Sequence, residues 1–270
     1  MEETIFKRIC TDLKSVVGKE NLASLPKTYE MIGHILIIYL TDELSPWKKE
    51  IGKVYLRHYP RAKTVLRKGP ITGEYRKPKY EHLAGNGTET IHKENKIQFK
   101  LDLEKVMFSS GNIEERQRMG RVPKKNEKVV DMFAGIGYFS LPMAYHAGAS
   151  VTAIEKNPEA FHYLQENIKL NNVEDRVEAL NMDCLDFSGT GNRVVMGYLR
   201  KTNEFLGKAF EIVKKGGIIH YHQTVVENFY PKAIHKEIRA VTKNYEIISM
   251  RRVKKFSPGV WHIVADIKAL

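Results

Sequence analysis

From Val129 to Ser140 the chain reads Val129-Val130-Asp131-Met132-Phe133-Ala134-Gly135-Ile136-Gly137-Tyr138-Phe139-Ser140, an apolar strand passing through two glycines into a helix start. A second apolar run, Ala153-Ile154-Glu155-Lys156-Asn157-Pro158, ends on a carboxylate. Glycines at such a turn let a ligand approach backbone N–H groups, and an acid closing the neighbouring strand is placed to accept hydrogen bonds from ribose hydroxyls. The chemistry open to this pairing is the binding of a nucleoside-containing cofactor.

Glycine turns between strand and helix also hold NAD or FAD, or simply pack tightly. Here Ser140 replaces the third glycine of the dinucleotide fingerprint, and Asp131 precedes Gly135 by four residues, where NAD folds stay apolar. Both departures disfavour a pyrophosphate. They point to S-adenosyl-L-methionine, with Phe133, Gly135 and Glu155 as binding residues. Glu155 also suits the neighbourhood of a helix start, with Asn157 as cap and Pro158 in the first turn, and the two roles are compatible.

Ligands of open α/β sheets sit beyond the carboxyl ends of the strands, which adds Asp183-Cys184 and Gly197–Leu199 to the candidates. Asp183 fits an acceptor for an adenine amino group and the Cys184 backbone a donor to a ring nitrogen, although a plain loop aspartate is the competing reading. His220 and His222 share one face of a predicted strand. Two histidines without a third ligand are ordinarily core or surface residues, and no metal is expected.

The elements that must position these residues follow from periodicity. From Val129 onward strand and helix alternate, with strands near 129–133, 151–155, 178–182, 193–198, 217–225, 246–253 and 260–268, and helices near 138–147, 158–171, 202–214 and 231–243. Such alternation predicts a doubly wound parallel sheet with helices on both faces. The last two strands, joined at Ser257-Pro258-Gly259, predict an antiparallel hairpin. Phe161, Leu164 and Ile168, like Phe205, Phe210 and Val213, recur at helical spacing and read as core. Residues 1–100 read as a smaller α+β domain: a helix over Phe6–Val17, a strand over Ile32–Leu40, a helix after Ser45-Pro46 with Ser45 as its cap, strand material over Val54–Leu66, and a further strand from Ile97 to Phe108. Residues 101–270 form the cofactor domain.

The chain has 270 residues, is 42% hydrophobic, and carries a net charge of +12. That size supports a full core. No run approaches the roughly 20 apolar residues of a membrane span, and Met1-Glu2-Glu3 lacks a signal pattern, so a cytoplasmic protein without a membrane partner is expected. Cys10 and Cys184, far apart, suggest neither a disulfide nor a metal site. The first hundred residues hold 19 Lys+Arg against 12 Asp+Glu, which makes them the more basic part per residue. Between Lys53 and Lys79 lie Arg57, Arg61, Lys63, Arg67, Lys68, Arg76 and Lys77, opposed locally by Glu74 alone, with Tyr55, His58, Tyr59 and Tyr75 interleaved. Cations that neutralise phosphates, mixed with rings that stack on unpaired bases, suit structured RNA, though a solvated basic face is the alternative. Arg251, Arg252, Lys254 and Lys255 extend that footprint.

The segments Phe108-Ser109-Ser110-Gly111-Asn112-Ile113-Glu114-Glu115-Arg116, Asp131–Gly137 and Glu155-Lys156-Asn157-Pro158 together resemble the archaeal and eukaryotic tRNA position-37 modification family. The stretch 83–108 resembles its basic N-terminal domain. The family contains guanosine-37 methyltransferases and wybutosine-pathway aminocarboxypropyltransferases, which implies a class I, Rossmann-like fold, S-adenosylmethionine as group donor, and tRNA as partner. The methyltransferase branch has Ser-Pro-Arg where this chain has Ser109-Ser110-Gly111, and Asn-Leu-Pro where it has Gly197-Tyr198-Leu199. The arginine and asparagine that position and help deprotonate the guanine are thus missing. The resemblance therefore implies transfer of the 3-amino-3-carboxypropyl group to the tricyclic base of tRNA(Phe), in the anticodon-loop region, with release of 5′-methylthioadenosine. Methyl transfer to guanosine 37 is the alternative, and an RNA-binding protein with a vestigial cofactor fold is a third reading. Arg116 is expected to grip the methionine carboxylate, guanidinium to carboxylate, with a hydroxyl contact from Ser109. No general base is assigned, and a monomer is expected.

Overall fold

The structure, a computed structural model, describes residues 4–72, 77–199 and 201–270. Glu74, Tyr75 and Arg76 of the basic run lie outside the described residues. The chain forms two compact units, Met1–Lys93 with Phe99–Ser110, and Glu94–Gln98 with Gly111–Leu270.

In the first unit α1 (Ile5–Val17) starts where Thr4 accepts from the Lys7 amide, and buries Ile9, Leu13 and Val17, one residue per turn on one stripe. The apolar run predicted as a single strand is a hairpin, β1 (Tyr29–Ile32) and β2 (Ile35–Ile38), broken at Gly33-His34. All four residues of β2 are buried, because β2 is an interior strand. Ser45 does not cap the next helix: it lies inside a 3-10 turn, and α2 (Lys48–His58) follows Trp47. Val54–His58 is therefore helix and not strand, since Ile51, Val54 and Tyr55 make a helical stripe. Strand β3 (Thr64–Thr72) runs parallel to β2, and β4 (Lys77–Gly85) pairs back on it to give the order β1-β2-β3-β4. A separate hairpin, β5 (Glu89–Glu94) and β6 (Ile97–Asp102), carries the passage between units, and its turn counts with the second. The strand from Ile97 ends at Asp102, well before Phe108.

The second unit begins with α3 (Ile113–Met119). The order then is β7 (Lys128–Asp131), α4 (Ser140–Ala147), β8 (Ser150–Ile154), α5 (Pro158–Leu170), β9 (Val177–Leu180) and β10 (Gly191–Leu199). It continues with α6 (Leu206–Ile212), β11 (Val213–Val226), α7 (Lys232–Arg239), β12 (Tyr245–Ser257) and β13 (Val260–Ala269). The sheet order is β12-β13-β11-β10-β7-β8-β9. Strands β11, β10, β7, β8 and β9 are mutually parallel, and β13 is antiparallel to both neighbours. This is the expected doubly wound sheet with a terminal hairpin. No helix among the described residues is long and apolar enough to cross a membrane.

Alternation along β11 sorts the two faces. Ile219 and Tyr221 join the apolar cluster of α6 and α7, where the Tyr221 hydroxyl donates to Glu237 at 2.8 Å. His220 and His222 face the other way, toward α3. Burial pushes His220 down to about 4, against the pull of Asp266, so the ring is neutral at neutral pH. Arg193 donates to its Nε2 at 2.7 Å, leaving Nδ1–H to donate to Asp266 at 2.6 Å. Asp266 also receives Ser249 at 2.8 Å, Arg251 at 2.6 Å and Arg118 at 3.3 Å. Burial alone would raise the Asp266 carboxyl, but the His220 bond and Arg118 hold it well below the usual carboxylate range. The histidine pair is thus a structural hub that fastens α3 to β13.

Replacing Asp266 with Ala leaves His220, Arg118 and Arg251 without their shared acceptor, and should cost about 3–5 kcal/mol of stability by urea unfolding. A loss under about 1 kcal/mol would show that the carboxylate is not the hub.

Candidate active site

The strand order reverses between β7 and β10, and there the chain leaving β7 divides its hydrogen bonds. The Met132 amide donates to Val195 of β10 at 3.0 Å and the Ala134 amide to Ile154 of β8 at 2.9 Å. The crevice opens at this point, beyond the carboxyl ends. Gly135 and Gly137 have φ of +59° and +100°. A Cβ on Gly135 would come within 2.5 Å of the Tyr138 ring, and one on Gly137 within 2.6 Å of Leu141. Only glycine fits a turn this tight.

Glu155 follows β8 and closes the turn from below. Its Oε2 accepts from the Gly135 amide and its Oε1 from the Asn157 amide, each at 2.7 Å. Burial raises its pKa while those amides pull against the rise. A carboxylate offers about four acceptor sites, so the amides of Gly135, Asn157 and Lys156 still leave capacity for a hydroxyl donor. Asn157 meanwhile caps α5 through the Glu159 amide, with Pro158 next, so cap and acid coexist. Asp131, wholly buried, accepts from Ser140 Oγ at 2.7 Å and from the Phe133 amide. Burial pushes its pKa to about 6, opposed chiefly by Ser140. It staples the start of α4 to the end of β7, which is why an acid stands where a dinucleotide fold keeps an apolar residue.

Asp183 accepts from the Leu185 amide at 3.0 Å and pairs with Lys156 at 3.1 Å. The amide bond, more than Lys156, holds it below the usual carboxylate range. Burial, then the neighbouring Asp183, pushes the Cys184 thiol to about 12, so it stays protonated. Asn181 was not anticipated: its amide donates to the Glu155 carbonyl at 2.8 Å and ties the end of β9 to that of β8. Phe133 was anticipated without its surroundings. It stacks on Tyr198 (5.1 Å, 17°) and meets the edge of Phe205 at 5.0 Å. Phe205, expected as core, lies in the 3-10 turn Thr202–Phe205 that leads into α6 and packs against the sheet's apolar cluster; the sequence signal for the stack was Tyr198 at a strand's carboxyl end.

Arg116 departs from expectation. It is 2% exposed, and its Nε and Nη2 donate to the two oxygens of Glu94, so a ligand carboxylate would have to share the guanidinium with that buried pair. Ser109 belongs to the first unit, half-buried ahead of the 3-10 turn Ser110–Asn112. The basic run of the first unit is partly neutralised by acids remote in sequence: Asp12 pairs with Arg57 and His58, Asp42 with Arg67, and Glu30 with Lys68.

A parallel sheet in this order, a glycine turn after its first strand and an acid ending the second define a Rossmann-like transferase of the S-adenosylmethionine-binding class. Comparison with known proteins narrows the class. The model of the TRM5/TYW2 methyltransferase domain matches residues 90–248, and that of the TYW2 N-terminal domain matches 10–88. The chain is 48% identical over 270 residues to the tRNA(Phe) (4-demethylwyosine(37)-C(7)) aminocarboxypropyltransferase of Pyrococcus horikoshii, covering 98% of this chain and 97% of that one. It is 38% identical to the tRNA (guanine(37)-N(1))-methyltransferase Trm5b of Pyrococcus abyssi, over 93% of this chain and 78% of that one. The crystal structure of P. horikoshii TYW2 in complex with MeSAdo superposes with a TM-score of 0.89 at 44% identity, over 98% and 99% of the two chains. The chain belongs to the TRM5/TYW2 family of tRNA-modifying enzymes.

The Asp131 carboxyl titrates higher folded than free, so its contribution to stability falls as pH rises from about 4 to 6 and is flat above. An Asp131→Asn variant should lack that decline, which is on the order of 3 kcal/mol. Urea unfolding of both proteins from pH 4 to 7 measures it, and parallel curves would remove the buried acid from the account.

Proposed function

We propose that this chain transfers the 3-amino-3-carboxypropyl group of S-adenosylmethionine to the tricyclic 4-demethylwyosine base at position 37 of tRNA(Phe), as a cytoplasmic monomer engaging the anticodon-loop region. The observation that carries the reading is the end of β10. Where the methyltransferase pattern puts an asparagine, the chain has Gly197-Tyr198-Leu199, and Tyr198 presents a ring stacked on Phe133. None of residues 197–199 carries a side-chain amide to orient a guanine. The near full-length identity to an aminocarboxypropyltransferase supports the same choice.

The residues present fit the cofactor. The left-handed glycine turn leaves no Cβ in the cradle, and Glu155 keeps acceptor capacity for the ribose. Asp183 would take the adenine amino group, with the Cys184 backbone donating to the ring. When bound, S-adenosylmethionine supplies a sulfonium that activates the three carbons attached to it. Phe133, Tyr198 and Phe205 form an apolar wall that keeps water from the reacting carbon and favours one orientation of the tail. The balance is one C–S bond broken, one C–C bond made to the base, and one proton lost from that carbon. The protonated Cys184 thiol does not take that proton.

Incubation with tRNA(Phe) bearing the precursor base should release 5′-methylthioadenosine; S-adenosylhomocysteine would overturn the proposal. Glu155→Ala should weaken S-adenosylmethionine binding at least tenfold by calorimetry, about 1.4 kcal/mol or more.

A further inference from the structure

The cations of α7 differ from those of the first unit. Lys232, His235, Lys236 and Arg239 fall within one helical stripe, and Lys243 continues it past the helix end. The four longer side chains are exposed, and no ion pair among the described residues engages them. They line two contiguous shallow grooves of about 510 and 550 Å³ that share His235 and Arg239, the second floored by Tyr245 and Ile247. The acids nearest the α7 stripe are turned away from it, whereas Glu227 pairs with Arg252 at 3.2 Å. Glu237 is spent on Tyr221 and Gln223, and Glu246 alternates to the other side of β12 from Tyr245.

The upper end of the stripe has a different character. Val226 pairs with Val260, so the β12–β13 turn stands at the carboxyl edge of the sheet, the edge that carries the cofactor crevice. There the Arg252 guanidinium lies 5.4 Å from the Tyr230 ring and 5.0 Å from that of Trp261, with Lys255 Nζ 5.6 Å from Trp261. Phe229 beside them is 63% exposed. Only Pro231 separates Tyr230 from the first cation of α7.

We propose that this surface is an RNA track. The α7 stripe receives phosphates of the backbone, and the Arg252–Trp261–Tyr230 cluster stacks unpaired bases at the end next to the crevice. The inference rests on the tRNA substrate proposed above. Chemistry favours RNA over a lipid surface, because the apolar side of α7, Ile234 and Ile238, is consumed by the core, so the helix has no free apolar face to lay into a bilayer. From Lys232 to Lys243 the stripe spans roughly 15 Å, enough for about four phosphates.

The test combines Lys232→Glu, Lys236→Glu and Arg239→Glu in the full chain, with Trp261→Ala as a separate variant. Binding to tRNA is followed by anisotropy across a salt series, and S-adenosylmethionine affinity by calorimetry. The triple variant should bind tRNA at least tenfold more weakly, with the slope of log affinity against log salt flatter by about two to three, at unchanged cofactor affinity. Trp261→Ala should lose affinity with the slope preserved. If wild type binds and modifies tRNA while the triple variant binds equally well, the track is wrong and the enzymatic reading stands. If wild type binds no tRNA, both fail. Loss of binding to phosphatidylserine vesicles at unchanged tRNA affinity would assign the stripe to a membrane and overturn the proposal.

Discussion

One carboxylate holds the crevice together. Glu155 receives the Gly135 amide on one oxygen and the Asn157 amide on the other, so the glycine turn after β7 and the start of α5 are set by the same rigid planar group. Its own amide donates to Leu180, and Asn181 returns a bond to its carbonyl, which brings β9 into the same arrangement. Three strand ends are thus positioned relative to one acid. A group with this many backbone partners has little rotamer freedom left to lose when a ligand arrives, which is the condition for a preorganised site.

The other face of the sheet is organised by charge. Glu115, Arg118, His220 and Asp266 are half or fully buried, and such groups are tolerated only when their donors and acceptors match. The matching is close: a neutral imidazole accepts from an obligatory cation, Arg193, and donates to an obligatory anion. The Arg116–Glu94 pair does similar service from between Glu115 and Arg118, fixing the short helix to the turn of the β5–β6 hairpin. Polar bonds with defined directions, rather than a greasy stripe, set where α3 lies.

What the sequence made legible follows from the range of the signal. The alternating strands and helices after Val129, the glycine turn and the closing acid are local patterns, and the structure keeps them. Errors occurred where a pattern needed a partner remote in sequence. The pairing of Arg116 is not local, because Glu94 lies 22 residues away, and the basic run shows only Glu74 nearby because Asp12 and Asp42, which pair with Arg57 and Arg67, belong to other elements. In the first unit, Ile32–Leu40 was apolar enough to hide the break at Gly33, and Val54–His58 carried β-branched and aromatic residues on what is a helical stripe. The aromatic wall of Phe133, Tyr198 and Phe205 joins three separate segments that only the topology brings together.

Strand β13 lies between β11 and β12 yet comes after both in the chain. During synthesis β12 therefore emerges with no neighbour in the sheet, and Asp266, the anion on which α3 depends, appears some 150 residues after the helix it fastens. The polar core of the second unit can close only once residues 260–269 have paired with both β12 and β11. An unpaired β12 edge and a loosely held α3 describe the nascent chain that a ribosome-bound chaperone would meet.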